Sequence, residues 1–192
     1  MRIGVLVSGS GTNLQAILDA QLPVAVVLSD RPGVAALDRA AAAGVPAVVV
    51  DRSAYLPDRA AFTQAIIDAL APFDLDLIAM AGFMTILDEA IFAAYPERIV
   101  NTHPSLLPAF KGAHAVREAL AAGVEASGCT IHIATPAVDD GPILAQAAVP
   151  VQPGDTEASL QARIQAVERT IYPQVLADIV ATGSVIAVAQ SR

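Results

Sequence analysis

Asn101, His103 and Asp139 are the side chains whose types and spacing best suit acid–base chemistry in this chain. Asn101 and His103 close the apolar run Ile99-Val100, two positions apart. In an extended strand, positions i and i+2 point the same way, so an amide donor and an imidazole can face one reacting atom. A buried strand that turns polar at its C-terminal end is where an α/β sheet usually presents chemistry. Pro104 and Pro108 then hold the following segment non-helical. Asp139 lies in the loop Ala137-Val138-Asp139-Asp140-Gly141-Pro142, with His132 a few residues before it. A carboxylate near an imidazole orients it and stabilises its protonated form. The plain alternatives are ordinary ones. A lone histidine after a strand is more often a hydrogen-bonded loop residue, His132 more often a satisfied strand histidine, and a loop aspartate more often a turn former.

Two other stretches carry binding signals. Gly9-Ser10-Gly11-Thr12-Asn13 follows an apolar strand and opens a helix. Unpaired N–H groups and the helix dipole make such a junction an anion site. Asp30 after the second strand suggests a dinucleotide site, but Leu14 stands at the third glycine position of that fingerprint. No Gly-Lys-Ser/Thr phosphate loop exists either, so the reading is a small phosphate; the alternative is a plain turn with a capped helix. Gly82-Phe83-Met84-Thr85-Ile86-Leu87 is an apolar loop after the fourth strand. It could wall a flat heterocycle, or be ordinary core. Metal-ligand spacings and a serine nucleophile elbow are absent from the sequence. Chemistry therefore rests on Asn, His and Asp, without a metal or a covalent intermediate.

The elements that must position these groups alternate. Strands are expected over residues 2–7, 23–28, 47–50, 75–80 and 99–102. Helices are expected over residues 13–20 (capped by Thr12 or Asn13), 33–43 and 58–71, the last stopped by Pro72, with a short one near Asp88. This alternation predicts a mostly parallel central sheet with helices on both faces. The pattern then changes: a helix over 115–122, strands over 127–134 and 142–149 joined too closely for a crossover, and a long helix within 156–182. The short connection predicts an antiparallel C-terminal strand pair. Residues 184–188 read as an edge strand.

The 192 residues suit one domain, and 55% hydrophobic against 16% charged residues gives a large core. The net charge of −8 repels nucleic acid and leaves an anionic substrate dependent on local donors. Cys129 is the one cysteine, in keeping with a reducing cytoplasm, and reads as a small core residue. The N-terminal apolar run is too short for a signal peptide, and no run is long enough to span a membrane.

The motifs Ser8-Gly-Ser-Gly-Thr-Asn13, Ala81-Gly-Phe-Met-Thr-Ile-Leu87, Asn101-Thr-His-Pro-Ser-Leu-Leu-Pro108 and Asp139-Asp-Gly-Pro-Ile-Leu-Ala-Gln146 occur in one order. In that ordered set the chain resembles the folate-dependent formyltransferases over nearly its whole length. The resemblance implies a single Rossmann-like formyltransferase domain over residues 1–192. Its N-terminal half would hold a ribonucleotide phosphate, and its C-terminal half folate and catalytic loops. It implies transfer of formyl from 10-formyltetrahydrofolate, a cosubstrate, to the amine of glycinamide ribonucleotide in purine synthesis, with no metal. It assigns Asn101, His103 and Asp139 to catalysis. Gly11, Thr12 and Asn13 go to the phosphate, and Glu168 to the ribonucleotide. Arg59, Met84, Thr85, Ile86, Leu87, Asn101, Thr135, Pro136, Ala137, Val138 and Asp139 go to the folate. Thr85 departs from the pattern, since many relatives carry a basic residue there that touches the folate tail. The segment Ala20–Pro23 is also short. Partners are expected to be small molecules, not nucleic acid or membrane, and a homodimer is left open. Within the family, methionyl-tRNA formyltransferase adds a C-terminal domain and formyltetrahydrofolate deformylase an N-terminal one. The expectation is a chain with neither. A non-catalytic nucleotide-binding module is the alternative of another class, and the joint presence of Asn101, His103 and Asp139 argues against it.

Overall fold

The structure, a computed structural model, describes residues 1–190. Its strands are β1 (Ile3–Val7), β2 (Val24–Ser29), β3 (Ala47–Val49), β4 (Leu77–Met80), β5 (Ile99–His103), β6 (Ala126–Ile133) and β7 (Ile143–Pro150). Its helices are α1 (Thr12–Asp19), α2 (Ala35–Ala42), α3 (Arg59–Leu70), α4 (Ala90–Ala94), α5 (Ala115–Ala121), α6 (Glu157–Thr182) and α7 (Val185–Gln190). The strands form one sheet in the order β3-β2-β1-β4-β5-β6-β7. The chain divides into two compact units, Met1–Val100 and Asn101–Arg192.

In the first unit β1 pairs parallel with both β2 and β4, and β2 pairs parallel with β3. Every residue of β1 is buried, so its apolar run does not alternate. That is the pattern of a parallel strand covered on both faces. The chain runs outward from β1 through β2 to β3 and then crosses to β4 on the other side of β1, which places the loops after β1 and β4 at a topological switch point. Helix α1 begins one residue earlier than expected. Its N-cap is Gly11, at φ 69°, and no side chain caps it. Thr12 is already helical, because a capping Thr or Asn needs an extended backbone that this tight entry does not provide. Asp58 caps α3, accepting from the Ala61 N–H at 2.9 Å, and Pro72 sits in a short 3-10 turn after the helix ends. A second 3-10 turn, Arg52–Tyr55, has no sequence period to announce it; Asp51 caps it by accepting from the Ser53 N–H.

In the second unit β6 and β7 pair antiparallel, as the short connection predicts, with a register shift between Ile131 and His132. Helix α6 starts on a capping box in which Thr156 and Ser159 satisfy each other's backbone N–H groups. Such a cap contributes about 1 kcal/mol. Leu160 and Ile164 of α6 pack with Val116, Cys129 and Val149 into one apolar cluster. Pro173 is accommodated inside α6, which ends at Gly183 with φ 71°. The edge-strand expectation over residues 184–188 is corrected: Val185–Val188 lie in helix α7, and Ser184 precedes it. Their β-branched content favours a strand, but the buried pair Val185 and Val188 is three apart, a helical spacing. Tertiary packing on α6 and β7 decides the outcome.

Candidate active site

Strand β5 delivers Asn101 and His103 to the same neighbourhood, as their spacing predicts. His103 Nδ1 lies 3.2 Å from Asp139 Oδ2, and both side chains are more than nine-tenths buried. His103 Nε2–H donates to the Phe110 carbonyl at 2.8 Å. Both ring nitrogens therefore face acceptors. Asn101 Nδ2 lies 3.2 Å from His132 Nε2. His132 Nδ1–H donates to its neighbour's carbonyl, that of Ile133, at 3.0 Å. His132 Nε2 also lies 3.6 Å from Asp139 Oδ1. A neutral His132 accepts from the Asn101 amide, and a protonated one turns its Nε2 proton toward Asp139. His132 thus joins the three expected residues.

Asp139 is the hub of this cluster. Burial disfavours its charge, but the His132 ring, the Gly112 N–H and the charges of His103 and His132 together hold its carboxyl below the ordinary value. The Gly112 N–H donates to Oδ2 at 2.8 Å. Asp139 adopts φ 52°, a left-handed backbone that aspartate tolerates better than most residues. Gly141 makes that loop feasible, since a Cβ there would meet the Ile133 carbonyl oxygen at 1.8 Å. The chain can return to β6 so closely only with glycine at this position.

The loop after β5 is built to present backbone groups to the pair. The Thr130 hydroxyl donates to the Ser105 carbonyl at 2.7 Å and accepts from the Leu107 N–H at 3.1 Å. Gln146 Nε2 donates to the Leu107 carbonyl at 2.8 Å. The Ser105 hydroxyl donates to the Ala109 carbonyl. Pinned at these points, the loop brings the Phe110 carbonyl to His103 and the Gly112 N–H to Asp139. Asn101 then offers an amide donor to a developing negative charge, beside two imidazoles and a carboxylate that can take up or pass on a proton.

Glu168 is buried on α6, and the Thr102 hydroxyl donates to its Oε1 at 3.2 Å. Cys129 is fully buried, and burial with the nearby Glu168 charge pushes its thiol up to about 12. It is core, not nucleophile. In the loop Thr135–Asp139, the Thr135 hydroxyl donates to the Ala137 carbonyl and Val138 is 47% exposed. Among the described residues no group of three or more His, Cys, Asp or Glu is arranged to hold a metal ion.

The first unit contains the remaining expected positions. The Gly9 carbonyl accepts from the Ala36 N–H at 3.2 Å, and the Ser10 carbonyl accepts from Arg39 Nε at 2.9 Å. With these carbonyls tied to α2, Gly11, Thr12 and Asn13 open a helix whose first turn no side chain caps. Gly11 also serves packing: a Cβ there would meet Ala36 Cβ at 2.7 Å. Asp30 is fully buried and accepts from the Thr85 hydroxyl at 2.6 Å, so it serves as a structural acceptor. Arg59 is half-exposed and lies 3.6 Å from Asp88. Along the loop Met84 and Ile86 are exposed while Thr85 and Leu87 are buried. The Thr85 side chain is thus committed to the protein.

A parallel sheet with a glycine loop after its first strand and a buried His–Asp pair beyond its fifth defines a Rossmann-like α/β protein equipped for proton transfer. The chain belongs to the formyl transferase family, which matches residues 1–176. It is 40% identical over 182 residues to the phosphoribosylglycinamide formyltransferase of Escherichia coli (strain K12), covering 92% of this chain and 85% of that protein. The crystal structure of glycinamide ribonucleotide transformylase 1 from Symbiobacterium toebii superposes with a TM-score of 0.87 at 52% identity, covering 91% of this chain and 84% of that one. The trifunctional purine biosynthetic protein adenosine-3 of Bos taurus is 42% identical over 190 residues. The chain spans only 19% of that protein's length.

Proposed function

We propose that this protein transfers the formyl group of 10-formyltetrahydrofolate to the amine of glycinamide ribonucleotide. The products are formylglycinamide ribonucleotide and tetrahydrofolate, in de novo purine biosynthesis. The observation that carries this reading is the buried His103–Asp139 pair beside Asn101, within the range matched to the family. The substrate amine attacks the formyl carbon, and its oxygen becomes an oxyanion. Asn101 donates an Nδ2–H to that oxygen, and the nearby positive charge of protonated His103 stabilises it. The bond from the formyl carbon to the folate N10 then breaks. The attacking amine loses a proton and N10 gains one, and Asp139, directly or through water, carries this exchange.

Residues 1–192 act as one formyltransferase domain in this reading. Gly11, Thr12 and Asn13 bind the ribonucleotide phosphate with backbone N–H groups, and Glu168 binds the ribonucleotide. The folate contacts are Arg59, Met84, Thr85, Ile86 and Leu87 from the first unit. From the second they are Asn101, Thr135, Pro136, Ala137, Val138 and Asp139. The partners are these small molecules, with a homodimer left open, and the setting is cytoplasmic.

Single-turnover formyl transfer by the wild type, His103→Ala, Asp139→Asn and the double variant tests the assignment. His103→Ala should slow transfer by about 10²–10⁴. The double variant should be little slower than the worse single variant, as for groups that act as a unit. Near-normal transfer by His103→Ala, or none by the wild type, would overturn it.

A further inference from the structure

A cavity of about 460 Å³ in the first unit is lined by Arg52, Leu56, Arg59, Met84, Thr85 and Ile86, among others. Its lining combines two features. Leu56, Met84 and Ile86 expose 62%, 72% and 57% of their surface, an unusual density of open apolar side chains. Beside them stand two guanidiniums, in a chain whose net charge is −8. Arg59 shares its charge with Asp88 at 3.6 Å. Arg52 has no carboxylate within ion-pair distance among the described residues. Apolar surface with a cation at its side fits an aryl group that ends in carboxylates, and fits a bare phosphate poorly.

Arg52 is held in place from two directions. Its backbone N–H donates to the Asp30 carbonyl at 3.0 Å, within the 3-10 turn capped by Asp51. Its Nη1 lies 3.4 Å from the Thr85 hydroxyl oxygen. That hydroxyl gives its proton to the buried Asp30 carboxylate at 2.6 Å, so its lone pair is left to face the guanidinium. An Asp30–Thr85–Arg52 series thus sets the side chain at the cavity. A guanidinium has five N–H donors, and this contact uses one.

We propose that Arg52 binds a carboxylate of the folate tail, supplying the cation that position 85 lacks in this chain. The proposal rests on the formyltransferase reading and adds a specificity-determining residue to it. The p-aminobenzoyl ring lies on Leu56, Met84 and Ile86, and the glutamyl carboxylate beyond it meets Arg52 with Arg59. A forked pair of N–H donors suits a carboxylate better than the single point charge of a lysine.

The test is equilibrium binding of two non-transferring probes to the full chain. One is 5,8-dideazafolate, which carries no formyl group; the other is its counterpart truncated at an uncharged aromatic amide. The wild type should prefer the glutamyl probe. Arg52→Ala should weaken that probe by about tenfold or more, the scale of one charge-assisted contact, and leave the truncated probe unchanged. Arg52→Lys should recover part of the loss. Equal weakening of both probes, or no change for either, would overturn the proposal. A wild type that prefers the glutamyl probe with Arg52→Ala unaltered removes Arg52 alone. A wild type that binds neither probe removes the formyltransferase reading together with it.

Discussion

His103 is bounded by the Phe110 carbonyl on one nitrogen and Asp139 on the other, so its ring is oriented by both. The dependence runs both ways, because the imidazoles and the Gly112 N–H lower the Asp139 pKa in the folded chain. A lowered folded value means that the carboxylate stabilises the fold above its unfolded pKa of about 3.9, and that this contribution is lost as pH falls through the folded value. The urea midpoint of the wild type should therefore drop between pH 5 and pH 3 more than that of Asp139→Asn, and the two profiles should converge. Parallel profiles would contradict the pairing. Cys129 gives a second prediction. With its thiol raised to about 12, it should resist thiol reagents at pH 8 until the protein is unfolded. Rapid labelling of the native protein would place it outside the core. Asn101 and His103 are legible in the sequence because a strand fixes i and i+2 on one face. His132 stands out in the sequence only as a histidine near Asp139; its approach to Asn101 is not legible, because a register shift beside it is displayed by no sequence interval.

The loops around the cluster owe their shape to a few backbone requirements. Gly141→Ala drives a Cβ into the Ile133 carbonyl and should cost about 1–3 kcal/mol in urea denaturation, as overpacking does. Activity should fall with it, since Asp139 sits on the same loop. Gly11→Ala meets α2 and must hold φ 69°, so it should lose stability on a similar scale. Gly9→Ala has open space around it and should stay within about 0.5 kcal/mol of the wild type. If Gly11→Ala matched Gly9→Ala, the close approach of this loop to α2 would be wrong. The consequence for function is direct: a binding defect in a Gly11 variant reports packing as well as phosphate. Element boundaries were readable where caps or proline mark them, as at Asp58 and Pro72. They were not readable at residues 185–188, where β-branched composition pointed to a strand and docking on α6 and β7 gave a helix.

Alternation of apolar runs and helical stretches is enough to announce a parallel sheet, and one short connection announces its antiparallel end. The strand order is a property of the whole chain, and periodicity carries no record of it. Composition set the electrostatic problem: a chain of net charge −8 must bind anionic substrates through local donors. In the proposed reading the glycine loop and the two cavity arginines are such donors. What the molecule does with them is tested most directly by incubating the purified wild type with 10-formyltetrahydrofolate and following tetrahydrofolate release, with and without glycinamide ribonucleotide. Release should require the ribonucleotide and match formylglycinamide ribonucleotide one for one. Release at the same rate without the ribonucleotide would make the protein a hydrolase of the formyl donor and contradict the account.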